Sequence, residues 1–247
     1  MMNSVKECEY STSEYSKRIL KGTLGYPHRK RFEDLLKICT EYKNMRVLDI
    51  GCHDFFFEKE IINYQKMLVG CDLDWESGLY CANDNIKKYM WDNVYVIASM
   101  GECLPLKDDS FDLILCFETL EHADDEYKML KEIDRVSAKN ATLIISAPIE
   151  FGIILLFKQV FRYIAHHDYY FDIKQNRYSF KELLHAGVFC NLERVSRIKY
   201  CHKGYDYRNT VEMLSSRFEL IQKINTPFEW MLDRLSYGTI LIFQKID

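Results

Sequence analysis

The stretch Arg46-Val47-Leu48-Asp49-Ile50-Gly51-Cys52-His53-Asp54-Phe55 constrains this chain more than any other. Arg46 to Ile50, with β-branched Val47 and Ile50, reads as a short buried strand. Gly51 allows a backbone turn that a side chain would resist. From Phe56 to Tyr64 the spacing is helical, with Phe57, Ile61 and Tyr64 on one face. Strand, glycine turn and helix start predict a nucleotide-binding corner. There a ligand approaches the backbone, and the helix N-terminus offers free amides.

A second predicted strand, Met67 to Asp72, ends on a carboxylate. Asp72 lies about twenty residues beyond Gly51, the distance at which dinucleotide folds place the acidic residue that accepts the ribose hydroxyls. Asp72 is therefore the expected ribose ligand and Asp74 the fallback; a plain surface carboxylate at a strand end is the competing reading.

The remaining chain alternates helices and strands. Met1 to about Gly25 is polar with interspersed tyrosines, and reads either as an arm that orders on ligand or as a frayed terminus. Pro27 starts a helix to Lys43 with Phe32, Leu35, Leu36 and Cys39 as its apolar stripe; the basic trio Arg29, Lys30 and Arg31 reads as a solvated face. Further expected elements are a helix from Gly78 to Tyr89, a strand from Val94 to Ala98 and a strand from Asp112 to Phe117. A helix from Glu121 to Val136, turning Tyr127, Leu130 and Ile133 inward, leads to a strand from Thr142 to Ala147. Asn140, just before that strand, tolerates a left-handed turn. Phe151 to about Tyr170 carries the stripe Ile153, Leu156, Phe157, Val160, Phe161 and Ile164, either a core helix or a wall for a bulky acceptor. His166 and His167, beyond it, lack partners at metal-ligand spacing. Ser179 is a helix N-cap, Leu192 to Ile198 alternates as a strand, and Cys201 to Arg208 is a polar loop opening a helix from Asn209 to Arg217. Strands from Phe218 to Ile224 and from Gly238 to Lys245 complete the chain.

Composition narrows the function classes. With 247 residues, 48% hydrophobic and 28% charged, the chain has room for one sizeable α/β core. A net charge of −4 argues against nucleic acid as partner. The nine cysteines form no C-x-x-C pair and no Cys/His cluster with zinc spacing, so no metal is expected; reduced thiols in a cytoplasmic protein fit them best. No secretory leader is recognisable, and the longest apolar run, Phe151 to Phe157, is too short to span a bilayer, though peripheral membrane contact stays open.

The central blocks carry a resemblance. Val47 to Gly51 resembles motif I of class I S-adenosylmethionine-dependent methyltransferases, V-L-D-I-G-C-G-x-G, with His53 and Phe55 standing where the second and third glycines belong. Gly101-Glu102, Leu104-Pro105, Ser110 to Ile114 and Glu118-Thr119-Leu120-Glu121-His122 are similar to that family's G-D-A-E-x-L-P-F, S-F-D-L-V and E-V-L-E-H blocks, in the same order and spacing. The resemblance covers roughly residues 45 to 150. It implies a Rossmann-like, doubly wound seven-stranded sheet, mostly parallel with an antiparallel final strand. It also implies an N-terminal arm and helix over 1–44, and a methyltransferase domain over 45–247 with an acceptor-side insertion at about 149–178.

For function, the resemblance implies transfer of a methyl group from S-adenosylmethionine to a small organic, lipid-linked or saccharide acceptor, with S-adenosylhomocysteine as product. Asp49, Gly51, Cys52 and His53 would shape the methionine end, and Asp72 with neighbouring Leu73 would hold the ribose. Met100 replaces an acidic residue at the adenine, leaving apolar contact and backbone amides near Gly101 and Glu102. Phe117 and Glu118 would line the reactive end, and His122 is either the general base or a brace for its loop. The lost glycines open another reading, a methyltransferase fold that binds cofactor poorly and serves as a structural partner. The two readings differ in whether the Phe55 ring enters the core or fills the methionine pocket. A dinucleotide oxidoreductase is disfavoured, because the chain has no G-x-G-x-x-G.

Overall fold

A computed structural model describes residues 10–13, 16–17, 26–164 and 177–246. Its strands form one seven-stranded sheet in the order β3-β2-β1-β4-β5-β7-β6. The sheet is mostly parallel, and β7 runs antiparallel to both its neighbours. This is the Rossmann-like α/β architecture expected from the sequence. The chain packs as two compact units, Met1–Met100 and Gly101–Asp247.

In the first unit, helix α1 (Tyr26–Cys39) precedes β1 (Arg46–Ile50), β2 (Met67–Asp72), α2 (Gly78–Tyr89) and β3 (Val94–Ala98). Val47, Leu48 and Leu68 are fully buried, as a parallel sheet covered on both faces requires. β1 and β2 pair in parallel with Asp49 opposite Gly70 and Ile50 opposite Cys71. Two expectations fail here. Arg31 is buried rather than solvated, with Nη2 3.1 Å from His28 Nδ1. Phe56 to Tyr64 is not an α-helix but two short 3-10 turns, Glu58–Glu60 and Ile62–Tyr64. Phe57, Glu58, Ile61 and Ile62 are buried and Glu60, Asn63 and Tyr64 exposed, so Tyr64 lies on the wet side rather than with Phe57 and Ile61. It closes by bonds such as Ile61 N–H to the Glu58 carbonyl and Tyr64 N–H to the Ile61 carbonyl.

The second unit holds β4 (Phe111–Phe117), α3 (Glu126–Val136), β5 (Ser137–Pro148), α4 (Ile153–Ile164), α5 (Phe180–Leu183), α6 (Tyr207–Leu214), β6 (Phe218–Thr226) and β7 (Gly238–Lys245). β4 and β5 pair in parallel, with Phe117 opposite Ser146. Asn140 adopts the expected left-handed conformation, φ 58°. Ser179 caps α5, forming a capping box with Glu182.

Helix α3 starts later than the sequence suggests. Asp125 caps it by accepting from the Lys128 amide, and Leu120–His122 forms a separate 3-10 turn. Tyr127 consequently faces solvent while Met129, Leu130 and Ile133 fill the core. Leu192 to Ile198 is irregular rather than a strand. Leu192 and Val195 are both buried and share a turn bond, a spacing that alternation cannot produce. On α4 only Leu155 of the described side chains is fully buried; Ile153 and Val160 are exposed, and Phe157 is 66% exposed. Ile153, Phe157 and Val160 of that stripe thus depart from the core-helix reading, Leu156 is half-buried, and the side chains of Phe161 and Ile164 lie outside those described. His166, His167, Tyr169 and Tyr170 lie outside the described residues. Among those described, no helix is long and apolar enough to cross a membrane.

Candidate active site

The corner after β1 keeps the backbone of a glycine-rich turn without its glycines. Gly51 has φ 88°, His53 φ 47° and Phe55 φ 59°. Two L-residues thus occupy the left-handed region that glycine enters freely, at a cost of roughly 1–2 kcal/mol each. Their side chains explain why the conformation persists. Phe55 is 0% exposed and its ring lies under β2: a Cβ built at Gly70 would come within 2.3 Å of Phe55 Cε1 and 2.6 Å of Cys52 Sγ. The His53 ring packs on Gly78, where a Cβ would meet Nδ1 at 2.3 Å, and shares a 2.8 Å hydrogen bond with Ser13 Oγ. Cys52 and Phe55 are thus buried against β2, and the half-buried His53 packs on Gly78.

The amides of this turn have partners within the chain, contrary to their expected role as free donors. Gly51 N–H donates to the Cys71 carbonyl at 2.8 Å, and Cys52 N–H to the same oxygen at 3.3 Å. His53 N–H donates to Asp72 Oδ2 at 2.9 Å, and Leu73 N–H to Asp72 Oδ1 at 2.6 Å. Asp72 is half-buried at the end of β2 and has lone pairs left on both oxygens for further donors. Asp74 is engaged differently, since its Oδ1 accepts from Leu79 N–H at the start of α2. Leu73 is exposed.

Asp49 does not face outward. It is buried on β1 and hydrogen-bonded to Glu58, a residue with no motif to announce it. Burial pushes the Asp49 carboxyl up to about 7, against the lowering effect of the Glu58 bond. Burial, and then Asp49, hold Glu58 well above the usual carboxylate range. In the unfolded chain both groups lose their protons at ordinary carboxylate values, so the folded state binds more protons across this window. The stability contributed by the pair is therefore full in acid and is lost as pH rises through about 7. Glu58→Gln should flatten this fall; urea melts of both proteins between acid and neutral pH check it, and parallel pH curves would contradict it.

The described N-terminal residues are tied to the same corner. Tyr10 O–H donates to the Phe55 carbonyl at 2.8 Å, and Ser13 N–H and Ser16 O–H donate to the Asp54 carboxylate at 2.8 and 3.0 Å. Asn85 bonds both the amide and the carbonyl of Ser11. At the far end of this unit, Met100 is partly exposed.

In the second unit, Gly101 begins a loop held from below. Glu132 accepts from the Leu104 amide, and Arg135 donates to the carbonyls of Leu104 and Leu106 while pairing with Glu132 and Asp108. The Leu104-Pro105 block is thus anchored by two α3 residues that the sequence patterns did not flag. Glu102 also turns inward to α3, its Oε1 accepting from Asp124 and Asp125 N–H. Its carboxylate thus holds the two residues that lead into α3.

Phe117 ends β4, half-buried. Glu118 follows in a left-handed conformation, φ 51°, its N–H donating to the Ser146 carbonyl at 3.0 Å. The turn then carries Glu121 inward and His122 outward. Glu121 is 0% exposed, with Oε1 4.0 Å from His122 Nε2 and 3.7 Å from His202 Nε2. Desolvation lowers the His122 imidazole below its ordinary value, opposed by a hydrogen bond with the Tyr200 backbone and by the Glu118 charge. His202 comes from a loop some 80 residues away, and no local pattern pairs it with His122. Arg197 fixes that loop by donating to the carbonyls of Glu121 at 2.7 Å and Cys201 at 2.6 Å.

Comparison with known proteins agrees with this geometry. Residues 48–145 match the family described as a methyltransferase domain. A stretch of 42 residues is 45% identical to norajmaline N-methyltransferase of Rauvolfia serpentina, spanning 17% of this chain and 14% of that enzyme. Among solved structures, the N-methyltransferase NodS of Bradyrhizobium japonicum, in complex with S-adenosyl-L-homocysteine, superimposes with a TM-score of 0.61 at 11% identity, covering 96% of this chain and 95% of its own. The YcgJ protein of Bacillus subtilis gives 0.57 at 17% identity, covering 88% and 98%. At these identities the structures speak to the fold alone, and the residue match speaks to the family. Residues 48–145 thus match a methyltransferase-domain family, and the sheet around them has the fold of these solved structures.

Proposed function

We propose that the chain transfers a methyl group from S-adenosylmethionine to a small organic acceptor through an oxygen or nitrogen that carries a removable proton. The observation that supports cofactor binding is the left-handed backbone at Gly51, His53 and Phe55, with the intervening side chains packed inward. Bound S-adenosylmethionine supplies an electrophilic methyl on a sulfonium, so the protein must mainly align the acceptor and manage its proton. Asp72 is assigned the ribose hydroxyls, because Asp74 already serves the start of α2. Met100, Gly101 and Phe117 are assigned the adenine and reactive-end contacts. Glu118 and His122 are assigned to the acceptor, with His122 as the group through which its proton is lost.

The relatives named as N-methyltransferases favour small-molecule chemistry, and the exposed Ile153, Phe157 and Val160 on α4 suit an apolar wall within the insertion at about 149–178. The inactive-scaffold reading rests on the two lost glycines and on Met100, with Phe55 filling the methionine pocket; burial of the Phe55 ring beside Gly70 speaks against that placement of the ring.

Calorimetric titration of S-adenosylmethionine tests the ribose assignment. Asp72→Ala should weaken binding by about 1.5–3 kcal/mol, the scale of a charge-assisted hydrogen bond. Asp74→Ala should leave affinity near wild type and reduce stability by roughly 0.5–2 kcal/mol through the lost cap. Equal affinities for the two variants would remove Asp72 from the site.

A further inference from the structure

We infer that Glu121, His122 and His202 form a binding site for a divalent transition-metal cation at the carboxyl end of β4. Each offers one ligand atom, and the three atoms lie within 4.8 Å of one another. Bonds of about 2.0–2.1 Å in a tetrahedral site set ligand atoms roughly 3.3 Å apart, so the set closes on an ion with shifts of an ångström or so. Both imidazoles are partly exposed, at 44% and 35%, and can make such shifts, while Glu121 is fixed in the interior.

The surroundings resemble those that orient metal ligands, in which each histidine is held from behind through its other ring nitrogen. His202 turns Nε2 toward Glu121 and Nδ1 toward Glu150, whose Oε1 is 3.9 Å away. Glu150 is itself held by Lys158 at 3.2 Å and by the Tyr178 hydroxyl at 3.2 Å. His122 has its bond with the Tyr200 backbone. The two rings lie 5.2 Å apart between centroids. Glu118 and Glu150 add negative charge nearby; Arg197 opposes it, but its donors are directed at backbone carbonyls. Two imidazoles and one carboxylate select zinc, manganese or iron over calcium, which prefers an all-oxygen shell.

Cation binding is independent of the methyltransferase reading; its use rests on that reading. Three protein ligands leave coordination positions open. An acceptor hydroxyl bound there becomes more acidic and releases its proton to solvent, keeping the electron pair that attacks the methyl. His122 is then a ligand rather than a free base, and oxygen acceptors are favoured.

The test uses the full chain stripped with a chelator and titrated with Mn2+ in the absence of S-adenosylmethionine, reading free Mn2+ by electron paramagnetic resonance. Wild type should take up one equivalent, displaced by Zn2+. His122→Ala and His202→Ala, both at partly exposed positions, should each weaken binding about tenfold or more, and His185→Ala should not. Failure of wild type to bind either Mn2+ or Zn2+ would overturn the site, as would binding unchanged in the His122→Ala/His202→Ala double variant. A protein that binds the cation but not S-adenosylmethionine would fail the methyltransferase reading alone.

Discussion

Phe55→Gly should destabilise the protein and bring no gain in cofactor affinity. The ring is 0% exposed and lies against the β2 backbone at Gly70, where even a methyl would clash. Emptying such a core position typically costs about 3–5 kcal/mol. Releasing an L-residue from φ 59° returns roughly 1–2 kcal/mol of that. The net loss is about 1–4 kcal/mol, and at this chain length each kcal/mol lowers the melting temperature by roughly 2–4 °C. Urea melts give the stability, and calorimetry with S-adenosylmethionine gives the affinity. A variant as stable as wild type that binds the cofactor more tightly would put Phe55 back in the methionine pocket.

His122→Ala should lower turnover by roughly a hundredfold or more, with cofactor affinity near wild type. The effect falls on turnover because His122 sits in the turn after β4, and its neighbours are Glu121, His202, Glu118 and Arg197. A free imidazole base and a metal-bound imidazole both predict this loss. They part under chelation: a free base leaves wild-type activity unaffected, and a cation site makes it fall and recover on adding metal. The measurement is methylated product by mass spectrometry over a panel of hydroxyl and amine acceptors. Undiminished turnover of His122→Ala on a wild-type substrate would return His122 to bracing its loop.

Local pattern carried the fold well. The sequence limits proposed for β1, β2, α2, β3 and β7 coincide with those observed, because each is bounded by a residue with a backbone preference or a sharp change in polarity. Pattern failed where the backbone left the regular elements. Phe57, Glu58, Ile61 and Ile62 are buried at helical spacing, yet the segment closes as two 3-10 turns that leave Tyr64 exposed. Leu192 and Val195 are anchored by a turn and by the Ser196 contacts to Glu182, not by alternation.

The site was half legible. Gly51 and Asp72 stand where the glycine turn and strand end predict, and His53 and Phe55 kept the turn's backbone while breaking its letters. Glu58 and His202 were invisible. Glu58 matters only because a buried Asp49 lies beside it, and His202 only because Arg197 carries its loop to Glu121. The Glu102 carboxylate has a role the block did not announce, since it accepts from the Asp124 and Asp125 amides ahead of α3.

The central claim is that this corner binds S-adenosylmethionine despite the two missing glycines. Thermal unfolding of the wild-type chain with increasing S-adenosylmethionine, and separately S-adenosylhomocysteine, tests it most directly. Ligand at about a hundred times its dissociation constant should add about 2.7 kcal/mol of stability, a rise of roughly 5–10 °C, in wild type and to a much smaller extent in Asp72→Ala. A melting temperature unmoved by either compound at saturating concentration, with no heat of binding by calorimetry, would contradict the account.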